Sequence, residues 1–218
     1  MSILQELSSA LGLRTQEPNS AAAEKCLAHP ELLDEIVAGL VDKNHRLAGD
    51  CVEVMTKVAE KQPNLVAPHA SVLLGLLAHK NGRVRWESAH SLGLIAANVP
   101  AVIEKTFDRL IRIIHDDESV IVRDYVIDAI AGYGSTGAKA AGRAFPVLRD
   151  AADIFNGKHA ARILNAMPNL VAVMPDLNAD ARKFAARFLE HPKSSVRKAA
   201  KILNKAVLGG RKPGVGGH

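Results

Sequence analysis

The chain has 218 residues, a formal charge of +5, 48% hydrophobic and 4% aromatic residues. That apolar fraction excludes disorder over most of the chain, and the length suits one domain or one compact array. So few aromatics argue against a β-sandwich or β-barrel, whereas the dominant alanine and leucine favour an all-α fold.

The first segment, MSILQELSSALG, carries Glu6 and no basic cluster, so neither a secretory signal nor a transit peptide is expected. Ile3, Leu4, Leu7 and Leu11 make one helix face and residues 21–27 begin another helix, so residues 1–29 form a helical cap. No apolar run approaches the ~18 residues of a spanning helix, and no membrane partner is expected. Cys26 and Cys51 make neither a disulfide framework nor a metal knuckle. They read as small core residues of a protein in a reducing, cytoplasmic compartment.

Beyond the cap the sequence repeats. GRVRWESAHSLGLI (82–95), VIVRDYVIDAIAGY (120–133) and SSVRKAAKILNKAV (194–207) align without gaps, sharing Arg85, Arg123 and Arg197. Stepping by a similar interval reaches Arg46 and Arg162, giving a ladder of five arginines separated by 39, 38, 39 and 35 residues. Each arginine opens a helix with apolar positions at the 3.6-residue period, such as Val84, Ala89, Leu92, Ile95 and Ala96, or Val122, Val126, Ala129, Ile130 and Tyr133. Another helix precedes each, as in 65–78, 100–114 and 178–190, with short polar turns between. The unit is a helix–turn–helix of about forty residues, of the kind that buries its faces only by stacking.

Here the sequence resembles the HEAT repeats. VRWESAHSLG matches their second-helix pattern at Val84, Arg85, Ala89, Leu92 and Gly93, with Ser88 and Ser91 in place of two small alanines. The resemblance spans residues 30–208 as five pairs. It implies a right-handed α-α superhelix, so residues 1–208 are expected to be one domain, followed by a flexible Gly-rich tail over 209–218. In that family a turn aspartate often pairs with the helix-opening arginine. Asp117 fits, whereas His79, Asn156 and His191 hold the same offset elsewhere. Pro68 and Pro146 sit in first helices, about a turn before the family's usual kinking proline, and Pro168 and Pro175 make the fourth repeat the most irregular.

No Walker loop or G-x-G-x-x-G after a strand occurs, and GYGSTG (132–137) reads as a helix end and turn. Nine histidines form no H-x-x-x-H or H-E-x-x-H pair, so neither a metal nor another cofactor is expected. His79, His115 and His191 fall near first-helix ends, where they suit the last carbonyls. The ladder arginines read as clasps on the turns.

If Arg85 opens a second helix, Trp86, Glu87 and His90 point away from Ala89 and Leu92, and Asp124, Tyr125 and Asp128 are their equivalents in the next repeat. The resemblance places second helices on the concave face. These six residues are therefore the expected protein- or peptide-binding site of a non-enzymatic scaffold, with Trp86 and Tyr125 as anchors. An alternative comes from the alkylpurine DNA glycosylases built of HEAT-like repeats. Trp86, Arg123, Asp124 and Asp128 supply the residue types those enzymes use, without a matching motif.

The last segment is the basic one. Residues 178–218 hold ten basic and two acidic side chains, a net +8, while the other 177 residues net −3. Arg197, Lys198, Lys201 and Lys205 form a stripe opposite Val196, Ala199, Ala200, Leu203, Ala206 and Val207. It reads as the polar outer face of a terminal repeat. Nucleic-acid binding is the alternative.

Overall fold

The computed structural model describes residues 2–209, and every regular element among them is helical. The chain forms two compact units, Met1–Ala129 and Ile130–His218. A 3-10 turn, Ile3–Glu6, precedes α1 (Glu17–Ala28). A second 3-10 turn, Pro30–Leu32, leads into α2 (Leu33–Gly39), followed by α3 (His45–Lys61). Next come α4 (Pro63–Val66), a 3-10 turn at Ala67–His69 and α5 (Ala70–Leu76), then α6 (Gly82–Ile95). α7 (Pro100–Asp116) and α8 (Val120–Gly134) follow, and α8 runs on past Ala129 into the second unit. That unit continues with α9 (Ala138–Ala151), α10 (Ala160–Val173), a 3-10 turn at Pro175–Leu177, α11 (Asn178–Ala186) and α12 (Ser194–Gly209). Apart from Gly209, the tail expected over 209–218 lies outside the described residues.

Prolines open the first helix of four pairs. Pro30, Pro63, Pro100 and Pro175 each sit at a helix start. The residues before them, His29, Gln62, Val99 and Met174, share φ values of −133°, −139°, −129° and −141°. A pre-proline residue is pushed out of the helical region, and proline has no N–H to waste at the first helical position. One residue type thus stops one helix and starts the next. The first helix expected over 65–78 begins two residues earlier and is broken at Pro68 into α4, the 3-10 turn and α5. Pro146 and Pro168 lie inside α9 and α10.

The turns that enter α3, α6, α8 and α12 share one construction. The Asp42 and Asp117 carboxylates accept from the N–H two residues on, at 2.6 and 2.8 Å. His79 and His191 do the same through Nδ1, accepting from Asn81 and Lys193 at 3.0 and 3.2 Å. The histidines therefore stand in for the turn aspartate, rather than serving the last carbonyls of the preceding helix. From the other side Arg85, Arg123 and Arg197 each donate through Nη1 to the carbonyl six residues back, that of His79, Asp117 and His191. This is the clasp expected of the ladder.

Arg85, Arg123 and Arg197 make this clasp, whereas the other two ladder arginines are out of register with them. Asn44 and Asn81 cap α3 and α6 alike, accepting from Arg46 and Arg83. Arg46 is therefore equivalent to Arg83, two residues short of the clasp position, and Ala48 fills that position in the core. Arg162 falls one residue short of it in α10, where Ile163 takes the place and is buried. The turns differ in length, so equal spacing of arginines does not mark equivalent positions.

The core follows the helical period. Val84, Ala89, Leu92 and Ile95 of α6 are buried, as are Val122, Val126 and Ala129 of α8. Cys26 and Cys51 are free and buried, and burial pushes both thiols up, to about 11 and about 12. In GYGSTG the Ser135 and Thr136 hydroxyls donate to the Gly132 and Tyr133 carbonyls at 2.7 Å, ending α8 in a turn. In the second unit a Cβ added at Gly134 would lie 2.8 Å from the Ala144 Cβ and 3.1 Å from Leu170. Gly134→Ala is expected to cost about 1–2 kcal/mol through overpacking, read as a lower Tm in a thermal melt.

Candidate functional site

Asn81 starts α6, its side-chain oxygen accepting from the Arg83 and Val84 amides at 2.9 and 3.3 Å. With that start fixed, Trp86 and His90 lie half-buried, one turn apart on the side away from Ala89 and Leu92. In α8, Asp124, Tyr125 and Asp128 are also half-buried. Gly93 lets the two helices close up. A Cβ there would sit 3.1 Å from the Asp128 Cβ and 3.2 Å from the Tyr125 carbonyl. The His90 and Tyr125 rings stack in consequence, with centroids 4.0 Å apart and planes 13° from parallel. Five of the six expected residues therefore share one partly open surface with a ring pair and two carboxylates.

Glu87 does not join them. It is 4% exposed and points toward α3, where the Thr56 hydroxyl donates to its Oε2 at 2.9 Å and lies 2.8 Å from the Ser91 hydroxyl. Burial drives its carboxyl up to about 7, against the lowering effect of the Thr56 bond. The expectation of an outward Glu87 fails because α6 is covered over a wider arc than its apolar residues indicate. Ser88 and Ser91 are fully buried as well. Arg123, which the glycosylase alternative needs at the surface, is 3% exposed and clasps the Asp117 carbonyl.

Three helices of the first unit share a buried polar cluster that the sequence pattern does not mark. Asp50 and Glu53 of α3 are 2% and 3% exposed. Asn19 of α1 donates to both, at 3.0 and 2.8 Å, and Arg83 of α6 pairs with both. Burial alone would raise the Asp50 carboxyl, but hydrogen bonds from Ser9 and Asn19 and the charge of Arg83 hold it below its ordinary value. No periodicity marks such a cluster, since its members come from three helices. On α12, Arg197 bonds the His191 and Pro192 carbonyls, while Lys198, Lys201 and Lys205 are exposed. Among the described residues no group of His, Cys, Asp and Glu could hold a metal ion, and no helix is long and apolar enough to cross a membrane.

No family model and no curated protein matches the chain. Solved structures do. A designed armadillo repeat protein in complex with the peptide (KR)4 aligns with a TM-score of 0.69 at 18% identity, over 94% of this chain and 98% of that one. Computationally designed armadillo repeat proteins for modular peptide recognition align at 0.65 and 18%, over 94% and 98%. An engineered protein aligns at 0.66 and 16%, over 96% and 98%. The chain has an all-α, armadillo-like helical-repeat fold.

Proposed function

We propose that this chain is a non-enzymatic helical-repeat scaffold that binds a protein or peptide segment on the exposed faces of α6 and α8. The observation that carries this reading is the gathering of Trp86, the stacked His90–Tyr125 pair, Asp124 and Asp128 on adjacent helices. Aromatic faces beside carboxylates suit an extended segment bearing lysine or arginine. The net −3 of residues 1–177 favours the same partner, and one structural neighbour carries a (KR)4 peptide. We read the repeats over 30–208 as HEAT pairs, with residues 1–29 as their cap, because each turn clasp joins two helices. Two unpaired buried thiols suit a cytoplasmic setting. The exposed lysines of α12 support one other reading, contact with nucleic-acid phosphates.

Trp86 is the only tryptophan, so its fluorescence reports on this surface directly. A basic octapeptide of alternating lysine and arginine is expected to shift its emission saturably, and an acidic octapeptide is not. Asp124→Asn with Asp128→Asn is expected to weaken the basic peptide by roughly tenfold or more, the usual weight of charge-assisted hydrogen bonds. A flat titration, alongside duplex DNA binding that Lys198→Gln, Lys201→Gln and Lys205→Gln abolish, would replace this reading with the other.

A further inference from the structure

A pocket of about 500 Å³ opens in the first unit beside the loop that joins the Ile3–Glu6 turn to α1. Gly12, Arg14, Thr15 and Gln16 come from the loop side, Arg46 and Arg83 from the starts of α3 and α6. The loop is held at both ends. The Ser8 hydroxyl donates to the Thr15 carbonyl at 2.7 Å, and the Leu13 amide to the Ser8 carbonyl at 2.8 Å. The Ser8 and Ser9 amides are bound in turn by the Asn19 and Asp50 side chains at 3.0 and 2.7 Å. Gly12 has a φ of +69°, a left-handed turn that glycine takes without strain. The cradle is therefore fixed before any ligand arrives.

Its charge is unbalanced. Arg83 and Lys57 together balance Asp50 and Glu53, and Asp50, which also lines the pocket, has its oxygens taken by Asn19, Arg83 and Ser9. Arg14 and Arg46 are exposed, and among the described residues neither meets a carboxylate. Two uncompensated guanidiniums therefore face a polar pocket lined with the Ser and Thr residues of the loop. Guanidinium forks match the oxygens of a phosphate in pairs, and two of them balance a dianion.

The geometry points to a binding site for a phosphate group, either the free ion or a phosphate monoester, held between Arg14 and Arg46. This site is built from residues other than those of the peptide surface and does not rest on the peptide reading. Isothermal titration calorimetry of the full chain with inorganic phosphate, O-phosphoserine and serine tests it. Phosphate or phosphoserine is expected to bind and serine is not. Stronger binding of phosphoserine assigns the site to an ester, and equal or stronger binding of inorganic phosphate assigns it to the free ion. Arg14→Gln and Arg46→Gln are each expected to weaken binding roughly tenfold or more. Both side chains are exposed, so the variants should melt as the wild type does, and a melt checks this. No binding of either phosphate probe, or binding that survives in the Arg14→Gln, Arg46→Gln double variant, overturns the site.

Discussion

Replacing Arg83 with alanine should lower stability by about 2–4 kcal/mol. The substitution leaves Asp50 and Glu53, 2% and 3% exposed, with the Ser9 amide, Asn19 and Lys57 as their remaining partners. Removing one member of a buried ionic cluster strands the charges that remain, at a usual cost of about 3–5 kcal/mol. The figure here is lower because the Arg83 side chain is itself 38% exposed and water relieves part of the loss. Urea denaturation at pH 7 reads the difference. The pH dependence gives a second check. The folded-state Asp50 carboxyl lies below its ordinary 3.8, so its contribution is present above that value and is lost as pH falls through the lower one. The gap between wild type and Arg83→Ala should therefore narrow in acid. A variant as stable as the wild type would mean that the cluster contributes nothing net.

Glu87 should give the opposite pH profile. Its carboxyl is raised from 4.5 to about 7 by burial, with Glu53 adding to the rise and Thr56, Arg83 and Lys57 opposing it. The folded state holds this proton more tightly than the unfolded state does. The stabilisation is complete below the unfolded value near 4.5 and is lost as pH rises through about 7. At about 1.4 kcal/mol per pH unit the swing is about 3 kcal/mol. Glu87→Gln keeps an oxygen for the Thr56 hydroxyl and removes the titration. Urea melts between pH 4.5 and 8.5 should show the variant gaining on the wild type as pH rises, and exceeding it at the alkaline end. Parallel profiles would mean that Glu87 is ionised in the folded protein throughout.

These two residues mark the limit of what the sequence discloses. The helices, their pairing and the inward Val84, Ala89, Leu92 and Ile95 are legible because a 3.6-residue period is a property of one strip of chain. The clasp at Arg85, Arg123 and Arg197 is legible for the same reason, since each arginine meets a carbonyl only six residues away. The surface of Trp86, Tyr125, Asp124 and Asp128 follows from the register of two such strips. Glu87 is different. Its partner Thr56 lies 31 residues earlier, and nothing around Glu87 distinguishes a buried acid from a solvated one. The Asn19–Asp50–Glu53–Arg83 cluster is hidden for the same reason. The prolines at 30, 63, 100 and 175 were open to view, but as helix starts they carry their message in the residue before them, not in the kink that proline usually signals.

The turn clasp has a consequence for how such a chain can change over time. Its bonds end on backbone N–H and C=O groups, which every residue but proline supplies in full. Each joint asks for one arginine and one short acceptor, and aspartate and histidine fill the second role interchangeably. The remaining letters of a repeat need only alternate between greasy and wet at the right interval. A lineage built this way can rewrite most of its text and keep its architecture, so its ancestry fades from the sequence long before it fades from the fold.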